Sequence, residues 1–123
     1  MNQAEESAPD SIGQALSAPG LTRARARFQD TLAQRILALE SLRQDIRAGR
    51  DAPGALHEIA KEAHKFSGVA ATLGHEDVGR LASDVDRLIG EGMSLGLSAD
   101  ETLEQLNPLL DMLLDSLERA LED

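Results

Sequence analysis

The chain offers three histidines as candidate reactive groups: His57, His64 and His75. Only His64 has neighbours that suggest a role. On a helix turning by ~100° per residue, it lies opposite an apolar stripe and is surrounded mostly by small side chains. A water-facing helix surface normally carries long charged residues, so this smooth surface predicts a place where another protein docks. The predicted contact residues are His57, Ala60, Lys61, Ser67, Gly68 and Ala71.

Metal binding and hydrolysis fit the same residues poorly. The HEIAK run at His57 begins like a zinc-protease helix, but Lys61 stands where the second histidine would be. No Glu and His pair lies three apart on inward helix faces, as a carboxylate-bridged metal site in a bundle requires. Ser67 follows His64 by three residues, yet no carboxylate is evidently placed to orient the imidazole. We therefore predict neither a metal site nor a hydrolytic centre.

Composition narrows the class of partner. The formal charge is −10, from 12 basic and 22 acidic residues, which argues against binding to nucleic acid or to an anionic membrane surface. The aromatic residues are Phe28 and Phe66 alone, so the chain has no platform for base stacking. There is no cysteine, no apolar run near the ~18 residues of a membrane span, and no secretory pattern at the start. We expect a cytoplasmic protein.

The apolar periodicity predicts an all-α fold, an antiparallel up-down-up-down four-helix bundle. Residues 1–20 are predicted to be a loosely ordered tail with one helical turn around Ile12 to Leu16, and residues 21–123 the bundle. The four helices are predicted at about 21–47, 53–73, 76–89 and from 98 onward.

Several residues predict where these helices begin and end. Asp51 can cap the second helix, and Ser98 with Glu101 has the spacing of a capping box. Pro108 predicts a kink or short break in the last helix, because proline removes one backbone hydrogen bond and clashes with the preceding turn. The third helix is predicted to end at Ile89, with a loop formed by Gly90, Gly92 and Gly96.

The segment from Ala63 to Ile89, AHKFSGVAATLGHEDVGRLASDVDRLI, resembles the signature of histidine-containing phosphotransfer (HPt) domains. That pattern has a histidine, an apolar residue two on, a glycine four on and a second glycine about ten on; here these are His64, Phe66, Gly68 and Gly74. The segment departs from the family at Ser67, where a lysine is usual. Lys65, or as a second choice Lys61, is then predicted to supply the positive charge.

The resemblance implies a phosphorelay intermediate of bacterial two-component signalling. His64 would accept a phosphoryl group from the aspartyl phosphate of a receiver domain and pass it to another receiver aspartate. The expected partners are response-regulator receivers and a hybrid or sensor histidine kinase, with Mg²⁺ held by the receiver, no cofactor of the chain's own, and a monomeric carrier that is not an enzyme. The alternatives are a helical adaptor or inhibitor that carries no phosphate and, less favoured, a small metal-binding bundle.

Overall fold

The computed structural model describes residues 18–122, which contain four α-helices and no strand. The helices are α1 (Ala18–Ala48), α2 (Ala52–Ala70), α3 (Glu76–Ser94) and α4 (Ala99–Glu122). The predicted helical class is confirmed. Because α1 begins at Ala18, the last three residues of the predicted tail are helical; the predicted turn around Ile12 to Leu16 lies outside the described residues.

Neighbouring helices run in opposite directions, as the contacts between α1 and α2 show. Near the start of α1, the Arg25 Nε donates to the carbonyl oxygen of Leu73, beyond the end of α2, at 3.1 Å. Ten residues later in α1, Arg35 Nη1 lies 3.7 Å from the carboxylate of Glu62, which precedes Leu73 in the sequence. Moving forward along α1 therefore means moving backward along α2. Between α2 and α3, His64 contacts Asp86 and Ala71 lies against Gly79, so these two helices are also antiparallel. Helix α4 packs against the other three helices. This is consistent with the predicted bundle.

The core lies where the apolar stripes of the helices meet. The apolar stripe predicted opposite His64 is buried: Ile59, Ala63, Phe66 and Ala70 in α2, and Leu73 in the turn that follows. Burying a large apolar side chain contributes ~1.5–3 kcal/mol, so this stripe fixes which face of α2 is left to solvent. Among the described residues, no helix has both the length and the apolar character that crossing a bilayer requires.

The predicted helix starts are confirmed in detail. The Asp51 carboxylate accepts a hydrogen bond from the Gly54 backbone N–H at 3.3 Å and caps α2. Ahead of α4, Ser98 Oγ accepts from the Glu101 N–H at 3.1 Å, and the Glu101 carboxylate accepts from the Ser98 N–H at 2.8 Å. These reciprocal bonds, led by the one from the Ser98 backbone, lower the pKa of the Glu101 carboxyl below its ordinary value.

The predicted end of the third helix is wrong, and of the predicted kink or short break in the fourth, the break is wrong. Helix α3 continues through Gly90 and Gly92 to Ser94. A Cβ on Gly92 would lie 2.6 Å from Thr102 Oγ1, so this glycine permits close packing of α3 on α4 rather than forming a loop. Helix α4 is unbroken at Pro108, with Leu106 and Leu110 fully buried on either side. We attribute its continuity to this packing, which outweighs one lost backbone bond.

Helix α2 ends three residues earlier than predicted. A turn over residues 71–74 follows Ala70, and the His75 N–H donates to the Ala70 carbonyl at 2.8 Å. Gly74 has φ +92°, a left-handed conformation that favours glycine over residues with a side chain. Gly74 therefore belongs to the connection between α2 and α3 and not to α2 itself.

Candidate functional site

His64 presents its ring to solvent from the outer face of α2. Its side chain is 78% exposed, whereas Ala63 and Phe66 on the other face of the same helix are completely buried. The exposure follows from the helical period, because burying Phe66 and its stripe turns residue 64 outward. The imidazole is therefore accessible to a partner in the described structure.

Asp86, on α3, holds one nitrogen of this ring. Its Oδ2 lies 3.1 Å from His64 Nδ1. An ionised carboxylate only accepts hydrogen bonds, so Nδ1 is the donor, and in the neutral ring the lone pair is therefore on Nε2. The expectation that no carboxylate orients the imidazole is wrong. Asp86 is 22 residues from His64 in sequence, and only the packing of α3 on α2 brings the two together.

The surface one turn after His64 is open. A Cβ built on Gly68 would meet no atom within 4 Å, so packing inside the molecule does not require glycine at this position. Ser67 does not contact the ring: its hydroxyl donates to the His64 backbone carbonyl at 2.8 Å. Ala71, in the turn after α2, is exposed and lies against Gly79 of α3.

A shallow groove of ≈ 300 Å³ lies beside the ring on its other side. Helical side chains tilt toward the helix N-terminus, so the imidazole projects over the turn that precedes it. The groove is lined by His57, Ala60, Lys61, His64, Lys65 and Asp86. Three of the six predicted contact residues thus share this groove with His64, while Ser67, Gly68 and Ala71 lie on the opposite side of the ring.

Comparison of the sequence with models of protein families identifies the family of this chain. The model of the Hpt domain matches residues 23–123. This chain is a member of the Hpt domain family. No curated protein and no solved structure gives a significant match. Hpt domains are phosphocarriers, not catalysts; they serve histidine phosphotransfer in phosphorelays and interact with receiver domains and histidine kinases.

The two lysines of this Hpt domain are held by different carboxylates. Lys65 Nζ lies 3.5 Å from Glu62, and the same carboxylate lies 3.7 Å from Arg35 of α1. Lys65 therefore shares its carboxylate partner with α1, although it also lines the groove beside the ring. Lys61 Nζ lies 3.6 Å from the half-exposed Glu58, a surface pair of the kind that contributes little and opens easily.

The other histidines of the Hpt domain have different surroundings. His57 is exposed and lines the groove two helical turns before His64. His75 is partly buried at the start of α3 and stacks on Phe28 with ring centroids 5.3 Å apart. Within residues 18–122, no group of three or more His, Cys, Asp or Glu side chains is placed to hold a metal ion.

Proposed function

We propose that this Hpt domain carries a phosphoryl group on His64 Nε2, between the aspartate of one receiver domain and the aspartate of another. One observation carries the proposal: an exposed imidazole whose Nδ1 is bound by Asp86 at 3.1 Å and whose Nε2 has no hydrogen-bond partner among residues 18–122. His57 and His75 have no such carboxylate in the described residues.

The transfer needs only the lone pair of Nε2. That pair attacks the phosphorus of the receiver's aspartyl phosphate, a P–N bond forms, and the P–O bond to the aspartyl carboxyl breaks. The bonding electrons leave with the receiver's carboxylate. No proton has to move, because Nδ1 keeps its hydrogen throughout. The reverse sequence delivers the phosphoryl group to the next receiver.

Asp86 favours this step in two ways. Its hydrogen bond selects the tautomer with the reactive lone pair on Nε2, the orientation that a carboxylate gives to histidine in other nucleophilic sites. As the P–N bond forms, positive charge develops on the ring, and the carboxylate 3.1 Å from Nδ1 stabilises that charge. We classify Asp86 as a positioning residue, because it acts on phosphorus only through His64.

The remaining requirements of the reaction fall to the partner. Phosphoryl transfer depends on positioning and on neutralising the oxygens of the transferred group, and we expect the receiver to supply Mg²⁺ and its acidic pocket. This chain supplies the nucleophile, a nearby lysine and the clearance at Gly68. The kinase and receivers of such a relay act in the cytoplasm, where we place the protein.

Transfer of label tests the proposal directly. A panel of receiver domains is charged with ³²P from a small-molecule phosphodonor and mixed with the protein and Mg²⁺. We expect acid-labile, base-stable label on the wild type and none on His64→Gln. His57→Gln and His75→Gln are the matched controls, and both should take label at the wild-type rate.

The outcomes separate the two candidate functions. If the wild type takes no label but binds a receiver, it acts as the adaptor; Ser67, in place of the family's usual lysine, is the feature that favours that alternative. If His64→Gln takes label as fast as the wild type, the acceptor is another residue and the proposed site is wrong.

A further inference from the structure

The first turns of α1 carry positive charge that has no negative partner among the described residues. Arg23, Arg25 and Arg27 pair with no carboxylate of residues 18–122, whereas most lysines and arginines from Arg35 onward do. Helices α3 and α4 each have two acidic residues in the first turn, and α1 has none. Because a helix N-terminus is itself partly positive, this end of α1 is a place where negative charge is favoured.

A cavity lies beside these turns, between α1 and the connection from α2 to α3. Its volume is ≈ 380 Å³, space for roughly a dozen water molecules. Arg25, Ala26, Gln29, Leu73 and His75 line it, and no acidic side chain of the described residues does. The Arg25 Nε donates to the Leu73 carbonyl, so the guanidinium stands at the edge of the cavity.

Two features show that residues 18–122 do not complete this end of the bundle. The Gln29 Oε1 is buried and has no hydrogen-bond donor among the described residues, an arrangement that costs free energy. Leu21 and Ala24 pack against the core but are only partly buried. A further segment with backbone donors and apolar side chains would supply what both features lack.

The residues that precede α1 have the matching chemistry. Residues 1–17 contain three acidic side chains, the last of them Asp10, and no basic one. Ile12 and Leu16 follow at a spacing of four, which places two large apolar side chains on one side of a helical turn. The segment therefore combines negative charge for the arginines with apolar groups for the cavity.

The length of this segment allows it to reach the cavity. Ile12 is six residues before Ala18, so it can lie up to ~20 Å from the start of α1. Ala26 is eight residues beyond Ala18, or ~12 Å along the helix axis. A segment that turns back along α1 can therefore bring Ile12 level with the cavity.

We infer that residues 10–16 turn back along the start of α1 and close this cavity, with Ile12 and Leu16 beside Leu73 and with Asp10 facing Arg25. The contact lies more than two helical turns from His64 along the chain, so it leaves the imidazole uncovered. The inference goes beyond phosphoryl transfer and does not depend on it, because it concerns how the chain covers the opposite end of α2.

A spin label in the full chain tests the contact. The chain has no cysteine, so a nitroxide can be attached at Ser11→Cys alone. We expect it to abolish the amide NMR signals of Leu73 and His75, which lie beside the cavity. The same label at Ser94→Cys, at the far end of α3, is the matched control and should leave both signals intact.

Two sets of substitutions in the Ser11-labelled chain test the fit from both sides. Replacing Ile12 and Leu16 together by serine should restore the two signals, since the apolar groups that enter the cavity are gone. Ala26→Gln, at an exposed position that lines the cavity, should restore them by filling the space. Ala33→Gln, at an exposed position of α1 outside the cavity, should not. Asp10→Asn and added salt should each restore them in part, because salt screens exposed charges.

Three results would overturn the inference. Full-strength signals of Leu73 and His75 under the Ser11 label would show that the segment does not reach the cavity. Loss at Ala60 and Lys61 instead would place the segment over the groove beside His64. Loss seen only between spin-labelled and isotope-labelled copies in a mixture would assign the cavity to the segment of a second molecule.

Discussion

Two contacts between helices use charged groups in opposite ways. On the seam between α1 and α4, Arg43 is 10% exposed and donates to Asp111 at 2.6 Å and to Glu40 at 2.7 Å. On the seam between α2 and α3, His64 is 78% exposed, and within the described part of the chain its ring has one hydrogen-bond partner, Asp86 at 3.1 Å. The first contact joins helices, whereas the second aims a ring that remains free on its other side.

Burial explains the difference. Desolvation is the largest influence on Arg43 and by itself would lower the pKa, but the hydrogen bonds and charges of Asp111 and Glu40 together raise the pKa above its ordinary value. Arg43 therefore stays charged and paired. A reactive group needs the contrary arrangement, in which one contact fixes its orientation and solvent keeps the other side available. The comparison predicts that substitutions between α2 and α3 change the rate of phosphoryl transfer, whereas substitutions between α1 and α4 change the stability of the fold.

Removing the Asp86 carboxylate should have the largest effect. We expect Asp86→Ala to slow transfer by ~10–100-fold, the range seen when the carboxylate behind a metal-ligating histidine is lost. Unfolding free energy should change by less than ~0.5 kcal/mol, because the pair is exposed. Asp86→Asn, which keeps an acceptor for Nδ1–H, should restore part of the rate. An Asp86→Ala protein that transfers normally would show that the carboxylate does not position the ring.

Removing the charge of Arg43 should lower stability without touching transfer. Arg43→Met keeps the buried stem but loses its charged hydrogen bonds, which at partly exposed partners should cost about 1–2 kcal/mol of unfolding free energy. Denaturant unfolding measures this, with the exposed Arg47→Met as control. If the label-transfer rate fell in proportion to stability, the two seams would not be independent.

Gly68→Gln should separate clearance from packing. The position is helical and open, so the variant should unfold at a slightly higher temperature, a gain of about 0.5–1 kcal/mol from replacing helical glycine. Transfer should fall roughly tenfold through obstruction, whereas Gly68→Ala should gain stability and lose little rate. Destabilisation of both variants would make Gly68 a packing residue.

Substitutions of Lys61 and Lys65 show which lysine supplies positive charge beside His64. Lys65 adjoins His64 in sequence, and adjacent residues on a helix do not face each other, while residues three apart do. We therefore expect Lys61→Ala to slow transfer roughly two- to fivefold, an exposed-site effect that added salt weakens. Lys65→Ala should have less effect. Restoration of the Lys61→Ala rate by Ser67→Lys would show that Lys61 fills the place of the family's lysine; the reverse ranking would return that role to Lys65.

The smallest effect should come from the cap of α4. Folding lowers the pKa of Glu101 below its ordinary 4.5, so its carboxylate stabilises the folded state above that pH, and this contribution is lost as pH falls through the lowered value. Glu101→Gln should be less stable than the wild type at neutral pH, with the difference closing in acid. A difference independent of pH would show that the charge of Glu101 is not what caps the helix.

Local patterns accounted for most of the fold. The inward faces of the helices, the Asp51 cap and the Ser98–Glu101 box follow from spacing within a few residues, and each has its expected place in the structure. The exposure of His64 follows in the same way, because a buried stripe defines its opposite face. The roles assigned to His64 and its neighbours remain predictions until transfer is measured.

The errors arose where a residue's partner lies on another helix. Gly92 was predicted in a loop because the sequence does not show that Thr102 packs against it. A break was predicted near Pro108 because the sequence does not show how firmly the leucines beside it are buried. Asp86 has no local feature that marks it as a partner of His64. The two residues are 22 positions apart in sequence, and the packing register of α2 against α3 brings Asp86 Oδ2 to 3.1 Å from His64 Nδ1.

By itself, then, the sequence determined four amphipathic helices and an imidazole on an outer face, because helical period and capping depend on residues within one or two turns. The tertiary structure decided which carboxylate holds that imidazole, and that the third helix continues through Gly92 where it packs against Thr102. Those facts depend on how two helices slide and rotate against each other, which is set by the fit of the whole core.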